Sequence, residues 1–265
     1  MGNEMQTMVV SFRTLVANPL SYQTMLPQKP LFEPKFVCEL FSQMSKTYGL
    51  VNLVSSFGFS HLWRKQCVKL AQIESGMTVY DLMTGMGECW HLINRRLTNE
   101  GNLVALDFCP EMCRQAEAKQ AGMPGLNSQV LQEDFLNNSL PSASADRIVS
   151  SFGLKTFSPA QKEIAAQQIQ RILKPGGLFS LIEISVPQHP LLKIFYMFYL
   201  NHVIPLIGKL FLGDPNNYKL LGTYTQHFQN AQTMGQHLEA TGLIVQYQSH
   251  FFGCATSLVG KKPER

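Results

Sequence analysis

"VYDLMTGMGECWHLI", Val79 to Ile93, sets two glycines, Gly85 and Gly87, between an apolar run that ends at Asp81 and a segment whose apolar residues resume at helical spacing. A short apolar run closed by turn residues reads as a buried strand, and the periodicity after it reads as a helix. The glycines are either punctuation in a connecting loop or a stretch of bare backbone that lies against a ligand. The segments on either side bear on which reading holds.

Downstream, "GNLVALDF" reads as a second strand ending in Asp107, and Pro110 stands at the first turn of a helix through "EMCRQAEAKQA". "SQVLQEDF" and "ADRIVSSFG" read as the third and fourth strands. "QKEIAAQQIQRIL" is a helix stopped by "KPGG", and "LFSLIEIS" is the fifth strand. "TMGQHLEATG" is a last helix before a terminal hairpin, "LIVQYQSHFFG" and "CATSLVGKK". Upstream, Phe36 to Ile73 is helical and apolar, interrupted at "SSFGFS". Strands alternating with helices specify the α/β class, a mostly parallel sheet covered on both faces. Such sheets gather ligands beyond the carboxyl ends of their strands. Asp81, Asp107, Asp134 and Ser151 all fall at predicted strand ends and should line one crevice.

The chain of 265 residues suits one large domain or two small ones, and 45% hydrophobic against 15% charged residues excludes a disordered chain. Its net charge of +4 is spread along the chain, with no basic run that would suit a nucleic acid. None of the six cysteines forms a C-x-x-C pair, and nothing beside Cys109 and Cys113 completes a metal set. They read as thiols in a reducing compartment, so the expectation is a cytoplasmic protein without a metal site. The N-terminus lacks the pattern of a signal peptide, and its Met-Gly start is only a fragment of a myristoylation context. "PLLKIFYMFYLNHVIPLIGKLFLG", Pro190 to Gly213, is long enough to span a bilayer, but Lys193, His202, Pro205 and Lys209 interrupt it. It reads as a buried or interfacial pair of short helices divided at Pro205 and Gly208, with peripheral membrane contact and a homo-oligomeric contact both open.

The spacing from Gly87 to Asp107 matches a nucleotide crevice, where an acid about 20 residues on accepts ribose hydroxyls. There is no G-x-G-x-x-G and no P-loop lysine. The loop therefore suits a ribose joined to an amino acid better than a pyrophosphate, which favours S-adenosylmethionine over NAD.

"YDLMTGMGE" and "VALDFCPEM" resemble the first two motifs of class I S-adenosylmethionine-dependent methyltransferases. Phe41–Lys65, Ser151–Pro187 and Pro190–Leu221 are similar to segments of the ubiquinone/menaquinone C-methyltransferase (UbiE-like) family. The resemblance covers about Phe36 to Lys262. It implies a Rossmann-like sheet of seven strands, the last antiparallel, and an enzyme that uses S-adenosylmethionine. It implies that Asp81, Gly85, Met86 and Gly87 surround the methionine end of the cofactor. Asp107 would hold the ribose hydroxyls with Phe108 against the adenine, and Asp134 and Phe135 would read the adenine amino group and face. Ser151 would stand where the cofactor opens toward the acceptor, and Tyr48 would close over the site. Residues 1–35 would be an N-terminal extension to a domain of 36–265, with a lid inserted at about 188–230.

The departures from the family pattern fall on the acceptor side. Its Y-D-x-x-N is Tyr48-Gly49-Leu50-Val51-Asn52 here, and its G-L-R-N is Gly153-Leu154-Lys155-Thr156. Lysine in place of arginine loses the planar fork that would hold a quinol oxygen. The loop motif G-G-T-G-D reads Thr84-Gly85-Met86-Gly87-Glu88 here. His227, Tyr48 and Glu183 are the candidate catalytic groups, Glu183 being either a buried, hydrogen-bonded acid or a contact to the acceptor. His61 and His202 read as structural. The leading expectation is methyl transfer to a carbon of a small lipophilic acceptor, isoprenoid or aromatic, in specialised metabolism. The alternatives are a quinone-biosynthesis C-methyltransferase, a cyclase that keeps the cofactor, and a binding or assembly protein.

Overall fold

The Val79–Leu82 run is buried because the strand it forms, β1 (Thr78–Leu82), lies inside a sheet of seven strands. The computed structural model describes residues 30–264, apart from 124 and 212 and the side chains of 30, 48 and 99. Expectations about Met1, Gly2 and the rest of 1–29, and about the Tyr48 side chain, lie outside the described residues.

The remaining strands are β2 (Asn102–Asp107), β3 (Ser128–Gln132), β4 (Ala145–Ser151), β5 (Leu173–Ile184), β6 (Ile244–His250) and β7 (Ala255–Lys261). They lie in the order β3-β2-β1-β4-β5-β7-β6. β1 to β5 are parallel, and β7 enters antiparallel between β5 and β6. The chain builds outward from β1 to β3, then returns to the other side of β1 with β4. That reversal opens a crevice at the carboxyl ends of β1 and β4.

Side chains alternate across the sheet, so Val79 and Tyr80 enter different cores. Tyr80, Ile148, Phe179 and Leu181 pack under helices α5 (Pro159–Ile172) and α9 (Gln232–Ala240). Val79, Leu103, Val149 and Ile182 pack under α2 (Phe59–Leu70) and α3 (Trp90–Leu97). Helix α4 (Pro110–Ala121) completes this second layer with Ala116. A third cluster is built from helices alone. Val37, Leu40, Met44 and Val51 of α1 (Pro34–Ser55) meet Tyr218 and Tyr224 of α8 (Pro215–Phe228). Met86 and Phe108 pack against this cluster, which sets it over the loops that follow β1 and β2.

Three boundaries differ from the expectation. "KPGG" does not stop a helix, because α5 ends at Ile172 and β5 begins at once. Gly176 takes φ +74° inside the extended run, and its N–H bonds the Lys262 carbonyl at 3.0 Å, so the chain irregularity is absorbed by pairing. Asp134 lies beyond β3 and caps a short turn, Phe135–Asn137, by accepting from Leu136 N at 2.9 Å. The 190–213 segment is one helix rather than two. It runs from Pro190 to Leu210 through α6 (Pro190–Phe198), a wide turn at Tyr199–Val203 and α7 (Ile204–Leu210). The wide turn precedes Pro205 and gives the ring room that a regular turn would deny it. Gly208 is a packing site, since a Cβ there would strike the Tyr218 ring.

The α5 start carries a reciprocal cap. Ser158 Oγ accepts from Gln161 N at 3.3 Å, and Gln161 Oε1 accepts from Ser158 N at 2.8 Å. Ser158→Ala should lower unfolding stability by about 1 kcal/mol. Urea titration checks it, with S-adenosylhomocysteine affinity expected to stay within twofold of the unaltered chain.

Candidate active site

The loop after β1 is held by a chain of hydrogen bonds that starts inside the core. Asp81 points to the α2/α3 side, almost without contact with water. Its Oδ2 accepts from Thr84 Oγ1 at 2.6 Å, and Thr84 Oγ1 accepts from Trp90 Nε1 at 2.9 Å. Thr84 N also donates to Leu106 O at 3.0 Å. Between these anchors Met83, Gly85 and Gly87 all have left-handed backbone, with φ of 55°, 59° and 74°.

The two glycines have different reasons. A Cβ on Gly87 would lie 2.8 Å from the Trp90 ring, so this glycine lets α3 close onto the loop. Gly85 borders the cleft, and its N–H donates to Asp107 Oδ2 at 2.9 Å. One glycine is packing and the other is open to a ligand.

Gly85, Asp107, Phe108, Asp134, Phe135 and Ser151 line a single cleft of about 710 Å³ including its open side. Six of the residues expected around the cofactor are thus brought together. Asp81, Met86 and Gly87 are not among the lining residues: the first two are turned into the cores, and Gly87 faces Trp90. Asp107 sits at the end of β2 with Oδ1 accepting from Cys109 N at 3.0 Å. Burial pushes its carboxyl up to about 6, against the pull of the Cys109 and Gly85 N–H groups. Burial likewise raises Asp81 to about 7, opposed by the Thr84 hydrogen bond.

Arg64 was not expected and is central to the cleft. It projects from α2, is buried, and lies with its guanidinium carbon 4.9 Å from the centre of the Phe152 ring. Its Nη2 is 3.9 Å from Glu88 Oε1, and its Nε has no hydrogen-bond partner among the described residues. A buried guanidinium with one long ion pair and an idle donor has capacity for another anion. In sequence it stood on a helix among Lys65 and Lys69, with nothing to mark it as the buried one.

Phe152 lines the cleft and also a second, larger cavity of about 1400 Å³ including its mouth. Trp63, Tyr196, Leu200, Ile204 and Leu221 are among its apolar walls. Lys155 is the one charged side chain among its described lining residues. Its Nζ donates to Glu183 Oε1 at 3.0 Å and to Phe152 O at 2.6 Å.

Two catalytic candidates fall elsewhere. Glu183 is buried at the end of β5, takes Lys155 N and Nζ and Ile184 N as donors, and lines neither cavity. The hydrogen-bonded alternative is the one observed. His227 is exposed on α8 with its ring edge-on to Phe32, because the inward face of that helix is taken by Tyr218, Tyr224, Thr225 and Phe228. It lines neither cavity.

The groups present fit S-adenosylmethionine: the Asp107 carboxylate to accept from a diol, aromatic walls for a flat base, and the Arg64 guanidinium with an idle donor for an amino-acid carboxylate. Fold and cleft together define a class I S-adenosylmethionine-dependent methyltransferase. The chain belongs to the ubiE/COQ5 methyltransferase family, whose sequence profile matches residues 29–262. It is 31% identical to a demethylmenaquinone methyltransferase of Deinococcus radiodurans over 226 residues, 85% of this chain and 92% of that one. A protein of the same name from Thermus thermophilus is 29% identical, over 84% of this chain and all of its own length. Among solved structures, an S-adenosylmethionine-dependent methyltransferase from Aquifex aeolicus shares the fold with a TM-score of 0.54 at 18% identity, covering 74% of this chain and 88% of the other. A putative one from Methanococcus maripaludis does so with a TM-score of 0.55, at 18% identity and over 88% and 95%. S-adenosylmethionine is therefore the cofactor and methyl transfer the class of reaction.

The buried acids make stability depend on pH in a definite direction. Asp81 binds its proton more tightly in the folded chain than unfolded, so its contribution is complete below 3.8 and is lost as pH rises through about 7. Relative to Asp81→Asn, the ligand-free protein should lose stability between about pH 4 and pH 7 and little more above that. Urea midpoints of both proteins at matched pH check it; parallel curves would contradict it. Lys155→Met should cost about 3–5 kcal/mol, since it strands the buried Glu183, and Lys155→Met with Glu183→Leu should recover most of that loss in the same titration.

Proposed function

We propose that the enzyme transfers the methyl group of S-adenosylmethionine to a ring carbon of a lipophilic aromatic acceptor held in the larger cavity. The observation that carries this is Phe152, the wall common to the polar cleft and the apolar cavity. Asp107 accepts the ribose hydroxyls, Phe108 and Phe135 flank the adenine, and Asp134 takes its amino group. Gly85 leaves the backbone open beside the amino-acid end, whose carboxylate Arg64 holds. When bound, the cofactor supplies an electrophilic methyl group on a sulfonium.

On the acceptor side the protein contributes position and dryness. The helices between β5 and β6, at about 188–230, act as a lid that keeps water from the reacting carbon. No His, Asp or Glu is among the described residues that line the cavity. The acceptor must then bring its own nucleophilicity, as an electron-rich ring bearing a hydroxyl does. Lys155 Nζ is the charged group in reach, and it steadies the developing oxygen charge of such a ring. The relatives' name, demethylmenaquinone methyltransferase, supports a quinol-type ring. Of the changes at Gly49, Lys155 and Thr156, the one at Lys155 falls on the cavity that would grip that ring, so its substituents are the part most open to difference.

Incubation with S-adenosylmethionine and a hydroquinone carrying a short isoprenoid chain should add the mass of one methyl at a ring carbon. A rearranged product of unchanged mass would favour the cyclase reading instead. Asp107→Ala should weaken S-adenosylhomocysteine binding by about tenfold to a hundredfold in calorimetry, the loss of charge-assisted hydrogen bonds. Arg64→Gln should weaken S-adenosylhomocysteine by a similar factor but leave the affinity for adenosine, which lacks the carboxylate, nearly unchanged. Equal losses for both ligands would remove Arg64 from the carboxylate.

A further inference from the structure

The helix Pro190–Leu210 is long and apolar enough to cross a membrane, yet it is fastened to the domain. Leu200, Pro205 and Gly208 are buried, and its Tyr199 and Tyr196 hydroxyls donate to Ser55 O at 2.6 Å and Cys254 O at 3.2 Å. One face is therefore committed to the protein. The opposite face carries Leu191, Ile194, Phe198, Leu206 and Leu210, all exposed at helical spacing.

That stripe does not stand alone. The two tyrosine hydrogen bonds join it to the end of α1, which exposes Leu53 and Phe57, and to the loop after β6, which exposes Phe251 and Phe252. Phe57 is 81% exposed and Phe252 78%. Both, and Phe251, have left-handed backbone, with φ of 50°, 57° and 43°. Side-chain-bearing residues rarely adopt that conformation, and here it holds three phenyl rings outward. Phe57, Phe195 and Phe251 are at once exposed and part of the lining of the large cavity, so the apolar surface runs into its mouth.

The charge around this surface has one sign. Between Glu183 and Asp214 the chain holds no Asp or Glu, whereas Lys193 and Lys209 are exposed toward the two ends of the stripe. Helix α2, beside Phe57, exposes Lys65 and Lys69 and carries no acid.

We propose that this face seats the enzyme on an anionic lipid bilayer, with the helix lying in the interface and the cavity mouth against the acyl chains. Apolar side chains enter the acyl boundary while flanking lysines meet lipid phosphates. A second copy of the chain fits less well. It would bring the lysines of both copies around a dry face whose helix has no acid to pair them, and it would close the mouth. The bilayer contact stands on the surface itself; only its use as the acceptor's route rests on the function proposed above.

Flotation of the full-length protein with vesicles, without cofactor or acceptor, tests it. The protein should rise with phosphatidylcholine vesicles containing about one-third phosphatidylglycerol and bind phosphatidylcholine alone far more weakly. Lys193→Ala with Lys209→Ala should lower the anionic-vesicle affinity by about fivefold per lysine. Ile194→Ser with Leu206→Ser and Phe252→Ser should abolish it. None of these residues lines either cavity, so S-adenosylhomocysteine affinity should be unchanged in both variants and reports that they are folded. The proposal is overturned if the unaltered protein stays with the bulk on anionic vesicles, or if the lysine variant or the triple variant binds as well as the parent. It is also overturned if light scattering shows a dimer that the triple variant reduces to a monomer. Vesicle binding with no methylated product would leave this proposal standing and remove the acceptor reading.

Discussion

A carboxyl group with almost no water around it sets the shape of the site. Asp81 is retained on a central strand because Thr84 satisfies it, and Thr84 is in turn satisfied by Trp90. The three residues belong to a strand, a loop and a helix, so one short relay ties the core of the sheet to the rim of the cleft. The left-handed backbone at Met83, Gly85 and Gly87 is tolerated because both ends of the loop are fixed this way. With the loop fixed, the Gly85 N–H meets Asp107, and the ends of β1 and β2 become one surface.

On the other side of β1 the same economy of buried charge recurs. Glu183 and Lys155 are both removed from water and are satisfied by one another and by backbone groups. The pair locks the turn after β4, and with it Phe152, whose φ of 66° places its ring between cleft and cavity. Arg64 approaches that ring from α2. The wall between cleft and cavity is thus held from both layers of the sandwich.

The sheet was legible in the sequence because its signals are local: apolar strands, Gly-rich returns and helices of regular period. Asp107, Asp134 and Ser151 were legible too, since topology sends the strand ends to one crevice, whereas Asp81 is turned into the core. What local signals miss is orientation. Arg64 sits beside Lys65 in sequence, and only the packing of α2 on the sheet decides which of them is buried. His227 and Thr225 are two positions apart on α8, and only Thr225 lines a cavity. Pro205 read as a break because a proline forbids a regular turn; the wide turn before it is a non-local accommodation that no propensity announces.

The helical cluster of α1, α8 and the long helix shares few side chains with the cores that hold the sheet. Sequence drift in that cluster can therefore reshape the large cavity without passing through the relay that positions the cleft. A laboratory library confined to Ile204 and Leu221 would vary the shape of the large cavity while the relay beside the cleft stays constant. The division also implies that such a lineage can diversify its chemistry faster than its foldability erodes, since the two properties draw on different residues.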